Sequence, residues 1–211
     1  MSYKHIVWDW NGTLLNDAEA CKNAVNKLLE KRDMDLLSIH EYRARIQFPV
    51  KNLYYESGFD LENESYETIS EEYINNYIEN FSLIQLQVDA KSVLQKFQQQ
   101  GLKQHIVSAS GNEILIHQVE KYGLKTFFTH ILGQKNNQAE SKVHLAKQLI
   151  DLTGCDPKEV LFIGDTVHDY EVAKEAGFNC NLVANGHCNR DRLEAVGVPV
   201  FQNLTALFEA F

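Results

Sequence analysis

Asp9 follows the apolar run Ile6-Val7-Trp8 and precedes Asn11-Gly12-Thr13. A carboxylate at the end of a buried strand, followed at once by a sharp turn, is placed to act as a nucleophile or a cation ligand. Gly12 permits backbone geometry that a Cβ resists, and Thr13 can cap the next segment or touch an anion. Downstream, Ser108-Ala109-Ser110-Gly111-Asn112 closes the run Gln104–Val107 and opens a segment whose first N–H groups can receive a phosphate. Gly164 leads from Val160–Ile163 into Asp165-Thr166-Val167-His168-Asp169, which puts two carboxylates on one turn. Lys142 lies near the start of the preceding helical stretch and can reach the same place.

For these residues to meet, they must sit at neighbouring strand ends. The runs Ile6–Trp8, Gln104–Val107, Phe128–Leu132, Val160–Ile163 and Cys180–Ala184 read as buried strands, whereas 112–122, 140–151, 168–176 and 189–196 show helical spacing. That alternation predicts an α/β fold, an open parallel sheet of about five strands, Rossmann-like, with helices on both faces. Gly101, Gly123 and Gly177 fall where helix C-terminal caps are expected. In such a sheet the ligand crevice lies beyond the carboxyl ends of the strands, so polar residues distant in sequence converge there.

The segment 16–86 lacks strand alternation and reads as helices: 17–32 with Cys21, Ala24, Val25 and Leu28 inward, two short ones around 39–57, and 64–81. Inserted after the first strand, it must leave the sheet at its carboxyl edge and sit above the crevice. The expected division is a core of 1–15 and 87–211 with a helical cap of 16–86. Seven Lys and Arg stand against fourteen Asp and Glu in 16–86, so most of the chain's net charge of −9 lies there. That balance argues against a nucleic-acid partner. The basic residues Arg43, Arg45 and Lys51 fall in a stretch free of acidic side chains between Glu41 and Glu56. Arg45 and Lys51 are candidates to hold a second anionic group of a substrate, since guanidinium forks onto carboxylates. Phe48, Tyr54, Tyr55 and Phe59 read as cap core, and His168 and His187 as surface or capping residues.

At 211 residues, 44% hydrophobic and 23% charged, the composition is that of an ordinary soluble protein. No apolar run suits a membrane span, and Met1-Ser2-Tyr3-Lys4 leads directly into a strand, so the expected location is the cytoplasm, without a membrane partner. Cys21, Cys155, Cys180 and Cys188 lack paired spacing and read as reduced structural residues. A monomer or weak homodimer is expected.

Taken in order, these motifs resemble those of the haloacid dehalogenase superfamily, in particular its phosphoglycolate-phosphatase-like branch with a helical cap, across nearly the whole chain. The resemblance implies a phosphatase acting on a small phosphorylated metabolite through an aspartyl-phosphate intermediate. By that resemblance Asp9 is nucleophile and metal ligand, Ser108 with Ala109 and Thr13 hold the phosphoryl group, and Lys142 neutralises charge. Asp9, the backbone carbonyl of Asn11, Asp165 and Asp169 then form a site for Mg2+, which is content with few protein oxygens because it keeps several waters. The chain departs from the pattern at Asn11, where the family's general acid and base is an aspartate. A carboxamide cannot transfer a proton at neutral pH, and such help is typically worth about 10²–10⁴ in rate. The implied outcome is a slowed enzyme, or alternatively a protein that binds phosphate and Mg2+ with little turnover.

Overall fold

In the computed structural model, which describes residues 3–135 and 141–211, the first strand β1 (His5–Trp8) is buried along its whole length. A strand that is apolar from Ile6 to Trp8 must be covered on both faces, and it lies centrally in a six-stranded parallel sheet. The other strands are β4 (Lys103–Gly111), β5 (Phe128–Gln134), β6 (Val160–Gly164), β7 (Asn179–Val183) and β8 (Val200–Phe201). Their spatial order is β5-β4-β1-β6-β7-β8, with β1 between β4 and β6 in the registers Trp8↔Ile106 and Trp8↔Ile163. Chain order therefore reverses direction at β1, and the crevice opens beyond the carboxyl ends of β1, β4 and β6.

One strand more than expected is present. β8 spans two residues, too few to show a period, and it completes the edge beside β7. The run Phe128–Leu132, expected to be buried, forms the opposite edge and is only half-buried because it has a neighbour on one side alone. Helices α5 (Ala90–Gln99), α6 (Asn112–Lys121), α7 (Val143–Thr153), α8 (Val167–Ala176), α9 (Arg190–Glu194) and α10 (Leu204–Glu209) connect and cover the strands. The expected start of α7 at residue 140, and Met1 and Ser2 of the leading segment, lie outside the described residues.

Between β1 and α5 the chain forms α1 (Ala18–Glu30), α2 (Ile39–Arg45), α3 (Lys51–Glu56) and α4 (Tyr66–Glu79). Helix α1 buries Cys21, Ala24, Val25 and Leu28, the face its spacing predicts, and packs on α4. Ser38 and Glu41 close a reciprocal capping box that starts α2, and Ser65 caps α4 through the Thr68 amide. A two-residue antiparallel ribbon of β2 (Leu15–Asn16) and β3 (Gln85–Leu86) ties together the points where the chain leaves and rejoins the sheet. Tyr54 and Phe59 are buried, whereas Tyr55 is exposed and Phe48 half-buried, so only part of that aromatic set is core. All four cysteines are free, and among the described residues no helix is long and apolar enough to cross a membrane.

Candidate active site

Asp9 continues β1 by one residue, its amide donating to the Ile163 carbonyl of β6 at 2.9 Å. The following turn is tight because Gly12 adopts φ 77°, and a Cβ there would stand 2.2 Å from Asp165 Oδ2. A Cβ on Gly186 would meet the same oxygen at 2.1 Å, and one on Gly164 would meet Asp169 Cγ at 2.2 Å. The backbone thus closes around the two carboxylates of the β6–α8 turn as no other residue type would allow.

Asp9, Asp165 and Asp169 are all buried, and one oxygen from each falls within 4.8 Å of the others. Lys142, at the N-terminus of α7 and 2% exposed, reaches both Asp9 and Asp169, standing 2.7 Å from Asp169 Oδ1. Two of the three buried carboxylates share a single lysine. Burial raises Asp9 well above the usual carboxylate range, with the charges of Asp169 and Asp165 adding to the effect against the opposing pull of Lys142. Burial likewise lifts Asp165 to about 6, helped by Asp169 and resisted by His187. Asp169 lies below its ordinary value despite burial, because Lys142 and the Thr166 hydroxyl stabilise its charge. The same two carboxylates overcome the effect of burial on Lys142 and raise it.

Asp169 caps the following helix with one oxygen and turns the other to the cluster. Its Oδ2 accepts from the Asp165 and Thr166 amides at 3.1 and 2.9 Å and from Thr166 Oγ1 at 2.7 Å, capping α8. Its Oδ1 faces the cluster and accepts no aligned hydrogen bond, Lys142 being an ion pair out of hydrogen-bond alignment. An outward-facing buried carboxylate oxygen beside two further carboxylates is a donor set for a hard divalent cation.

Ser108 is 1% exposed at the carboxyl end of β4, beside Ala109, and its Oγ accepts from the Ser110 amide at 3.1 Å. Both border the cleft together with Asp9, Asn11 and Lys142. Thr13 corrects the expectation of a phosphate contact: it is fully buried and donates its hydroxyl to Asp165 Oδ1 at 2.7 Å. It orients the carboxylate from behind. Arg45 and Lys51 are exposed, Arg45 lying 3.9 Å from Glu41, and neither borders the cleft. They were placed by composition on a stretch whose apolar face, Tyr42, Ile46, Phe48 and Leu53, turns inward instead, so the charged residues face water.

Of the surface or capping positions expected for His168 and His187, the surface one is corrected, since they are 7% and 5% exposed. His187 joins Asp17 and Tyr42 in a network that sequence reasoning missed. Asp17 Oδ1 accepts from the Gly12 amide at 2.9 Å and from His187 Nε2 at 3.1 Å, and its Oδ2 accepts from Asn11 Nδ2 at 2.6 Å and Tyr77 Oη at 2.8 Å. Burial opposes the charge on Asp17, but the His187 cation and these donors outweigh it and hold the carboxyl below its ordinary value. Asp17 in turn raises His187 to about 9 against the effect of burial, so its Nδ1–H donates to Tyr42 Oη at 2.9 Å. Asn11 completes the network by accepting from Ser110 Oγ at 2.5 Å. The carboxamide is therefore committed at both ends. An aspartate directly before the apolar face of α1 was the one available sequence signal.

The family model for haloacid dehalogenase-like hydrolases matches residues 6–183. Among solved structures, a predicted phosphatase from Clostridium acetobutylicum is 18% identical over 100% of this chain and 98% of that one, with a TM-score of 0.82. A predicted phosphoglycolate phosphatase from Haemophilus somnus is 17% identical over 100% and 98%, TM-score 0.77. Protein Tyrosine Kinase A of Mycobacterium tuberculosis is 18% identical over 99% and 98%, TM-score 0.81. At these identities the likeness is one of fold, and the names differ enough that fold does not set the substrate. The curated proteins contain no match.

Proposed function

The chain belongs to the haloacid dehalogenase-like hydrolases, and from that premise we propose that it is a phosphatase, a Mg2+-dependent hydrolase of small phosphomonoesters, working through an aspartyl-phosphate on Asp9. The observation that carries this reading is the convergence of Asp9, Lys142, Asp165 and Asp169 at the carboxyl edge of the sheet, with Ser108 beside them. The division into a core of 1–15 and 87–211 and a cap of 16–86 is part of the proposal, supported by the β2–β3 ribbon at the two crossings.

Asp9 attacks phosphorus, the ester oxygen leaves with the bonding pair, and water then attacks the aspartyl-phosphate to release phosphate and restore the carboxylate. Lys142 holds Asp9 in line and offsets the repulsion between nucleophile and dianion. Ser108 and the amides that follow it receive phosphoryl oxygens. Asp9, Asp165, Asp169 and the carbonyl of Asn11 would hold Mg2+, which supplies further neutralisation of phosphoryl charge. The Thr13 hydroxyl and the His187 backbone amide keep Asp165 aimed, donating to its two oxygens at 2.7 and 2.6 Å.

Asn11 supports a second reading, a phosphate- and Mg2+-binding protein with little turnover, because its fixed carboxamide offers no proton to a leaving group. The substrate is a small phosphorylated metabolite, with phosphoglycolate as the reference compound that relatives' names suggest, and no nucleic acid or membrane is engaged. A cytoplasmic monomer or weak homodimer is part of the same proposal. The test is Mg2+-dependent phosphate release from an aryl phosphate, acetyl phosphate and phosphoglycolate by the native protein and by Asp9→Asn. Release that Asp9→Asn abolishes supports the phosphatase; binding of phosphate without release supports the second reading, and release that survives Asp9→Asn overturns the mechanism.

A further inference from the structure

Over the phosphoryl site the cap presents a wall with an uneven chemistry. The cleft has a volume of about 110 Å³. Its cap-side surface comes mostly from apolar side chains such as Ile46, Phe48, Val50 and Ile74 and from tyrosine rings, with the Ser70 hydroxyl among them, and among the described residues no lysine or arginine of the cap borders it. Lys142 and His187, which border it from the core, are committed: Lys142 to Asp9 and Asp169, and His187 to Asp17 and Tyr42. The ring of His168 stacks on Phe48 with centroids 5.0 Å apart and planes 18° from parallel. A substrate bearing a carboxylate beyond its phosphate, as phosphoglycolate does, would bury that charge in a largely apolar pocket with no cap cation to pair with it, which is unfavourable. An aromatic ring would find surfaces to pack on.

A second observation points the same way. Asn11 cannot protonate a departing oxygen, and both ends of its carboxamide are held by Asp17 and Ser110. The penalty is small only for a leaving group stable as an anion. A phenol loses its proton near pH 10, as tyrosine does, whereas an alcohol is close to water at about 15.7.

We infer that the cap cavity accepts an aryl group, and that the preferred substrate is an aryl phosphomonoester whose phenolate departs without protonation. This rests on the phosphatase reading of the site. The bond from Asp9 Oδ to phosphorus forms, the bond from phosphorus to the aryl oxygen breaks, and the electron pair leaves on that oxygen, which takes its proton from water after release. Water then cleaves the aspartyl-phosphate, so that ester and water yield phenol and phosphate.

The experiment has two arms on the native protein with Mg2+. In the first, kcat/KM is measured for phenyl phosphate and 1-naphthyl phosphate beside phosphoglycolate and glycerol 3-phosphate. The aryl esters should lead by about a hundredfold or more, the scale of the missing acid. In the second, calorimetry compares benzylphosphonate, which cannot be hydrolysed, with 3-phosphonopropionate, its counterpart bearing a carboxylate. Benzylphosphonate should bind about tenfold or more tightly, and Phe48→Ala should erode that preference while leaving inorganic phosphate binding unchanged. Phosphoglycolate or glycerol 3-phosphate turned over as well as phenyl phosphate, or phosphonates bound alike, overturns the inference while leaving the phosphatase reading intact. No release from any ester together with selective binding of benzylphosphonate refutes turnover and keeps the aryl specificity.

Discussion

Replacing Asn11 by aspartate restores the family's residue, yet the surroundings of Asn11 predict that the variant is destabilised. Asn11 Nδ2 donates to Asp17 Oδ2 at 2.6 Å, and Asp17 is 1% exposed and ionised. In Asn11→Asp a carboxylate oxygen takes the place of that donor. Two unit charges at this separation repel by about 6 kcal/mol at an effective dielectric constant of ~20, so the pair retains one proton in place of two charges. The new side chain is then protonated in the folded protein at neutral pH but ionised when unfolded. Holding a proton at pH 7 that an unfolded aspartate releases near pH 3.9 costs about 1.4 kcal/mol per unit, or about 4 kcal/mol. Since the folded pKa is raised, the loss is complete above it and shrinks as pH falls toward the unfolded value, to about 1.5 kcal/mol at pH 5. The charge exchange Asn11→Asp with Asp17→Asn again opposes one carboxylate to one amide and should recover most of the loss. It should also raise kcat on alkyl phosphates, where the native protein lacks an acid. The assay is urea unfolding at pH 7 and pH 5 with a chelator present, for native, single and exchanged proteins. A single variant as stable as the native at pH 7, a loss equal at both pH values, or an exchange worse than the single change would refute the reasoning.

Three further outcomes are expected. Gly186→Ala forces a Cβ to within 2.1 Å of Asp165 Oδ2, so calorimetric Mg2+ affinity should fall by about tenfold or more and stability by about 1–3 kcal/mol; unchanged Mg2+ binding would show that Asp165 is not a ligand. His105 is fully buried against His5 and His130, and burial, with the charge of His5 next, lowers it to about 3. Folding therefore holds it neutral: its contribution is fully present above about pH 6.5 and is lost as pH falls toward 3, by about 2 kcal/mol at pH 5. His105→Gln should flatten the stability profile between pH 8 and pH 5 by that amount in thermal unfolding. Finally, Asn11-Gly12 is a dipeptide prone to deamidation when free, but the Gly12 amide that must attack donates to Asp17 Oδ1 at 2.9 Å. Because Asn185-Gly186 is a second such dipeptide, the readout is the mass of the peptide holding Asn11-Gly12 in a digest: it should stay constant during incubation of the folded protein at pH 8 and rise by about one dalton once the protein is unfolded, the Asn-Gly turn being then released.

Much of this molecule was legible as sequence because local patterns report local facts. Ile6–Trp8 and Val160–Ile163 are apolar without alternation, as strands covered on both faces must be, and a parallel sheet brings their ends together whatever lies between. Asp9, Ser108, Lys142, Asp165 and Asp169 could thus be assigned to one crevice from residue type and position alone. The inward face of α1 followed from the spacing of Cys21, Ala24, Val25 and Leu28 for the same reason. Short or edge elements carried less signal: β8 has two residues, and β5 looked buried because apolar residues on an edge are not distinguished from those in the centre.

What only the tertiary structure decided is which side chains meet when the helical segment comes down on the sheet. Asp17 and His187 are 170 positions apart, and no period or motif couples them. Their contact exists because α1 leaves the site directly and α2 lays Tyr42 over the β7–α9 loop. The same packing turned Arg45 and Lys51 outward and Phe48 inward, converting an expected anion pocket into an aromatic one. Composition can supply a charge to a segment, but desolvation decides which face of that segment turns to the cavity, and it favours the apolar one.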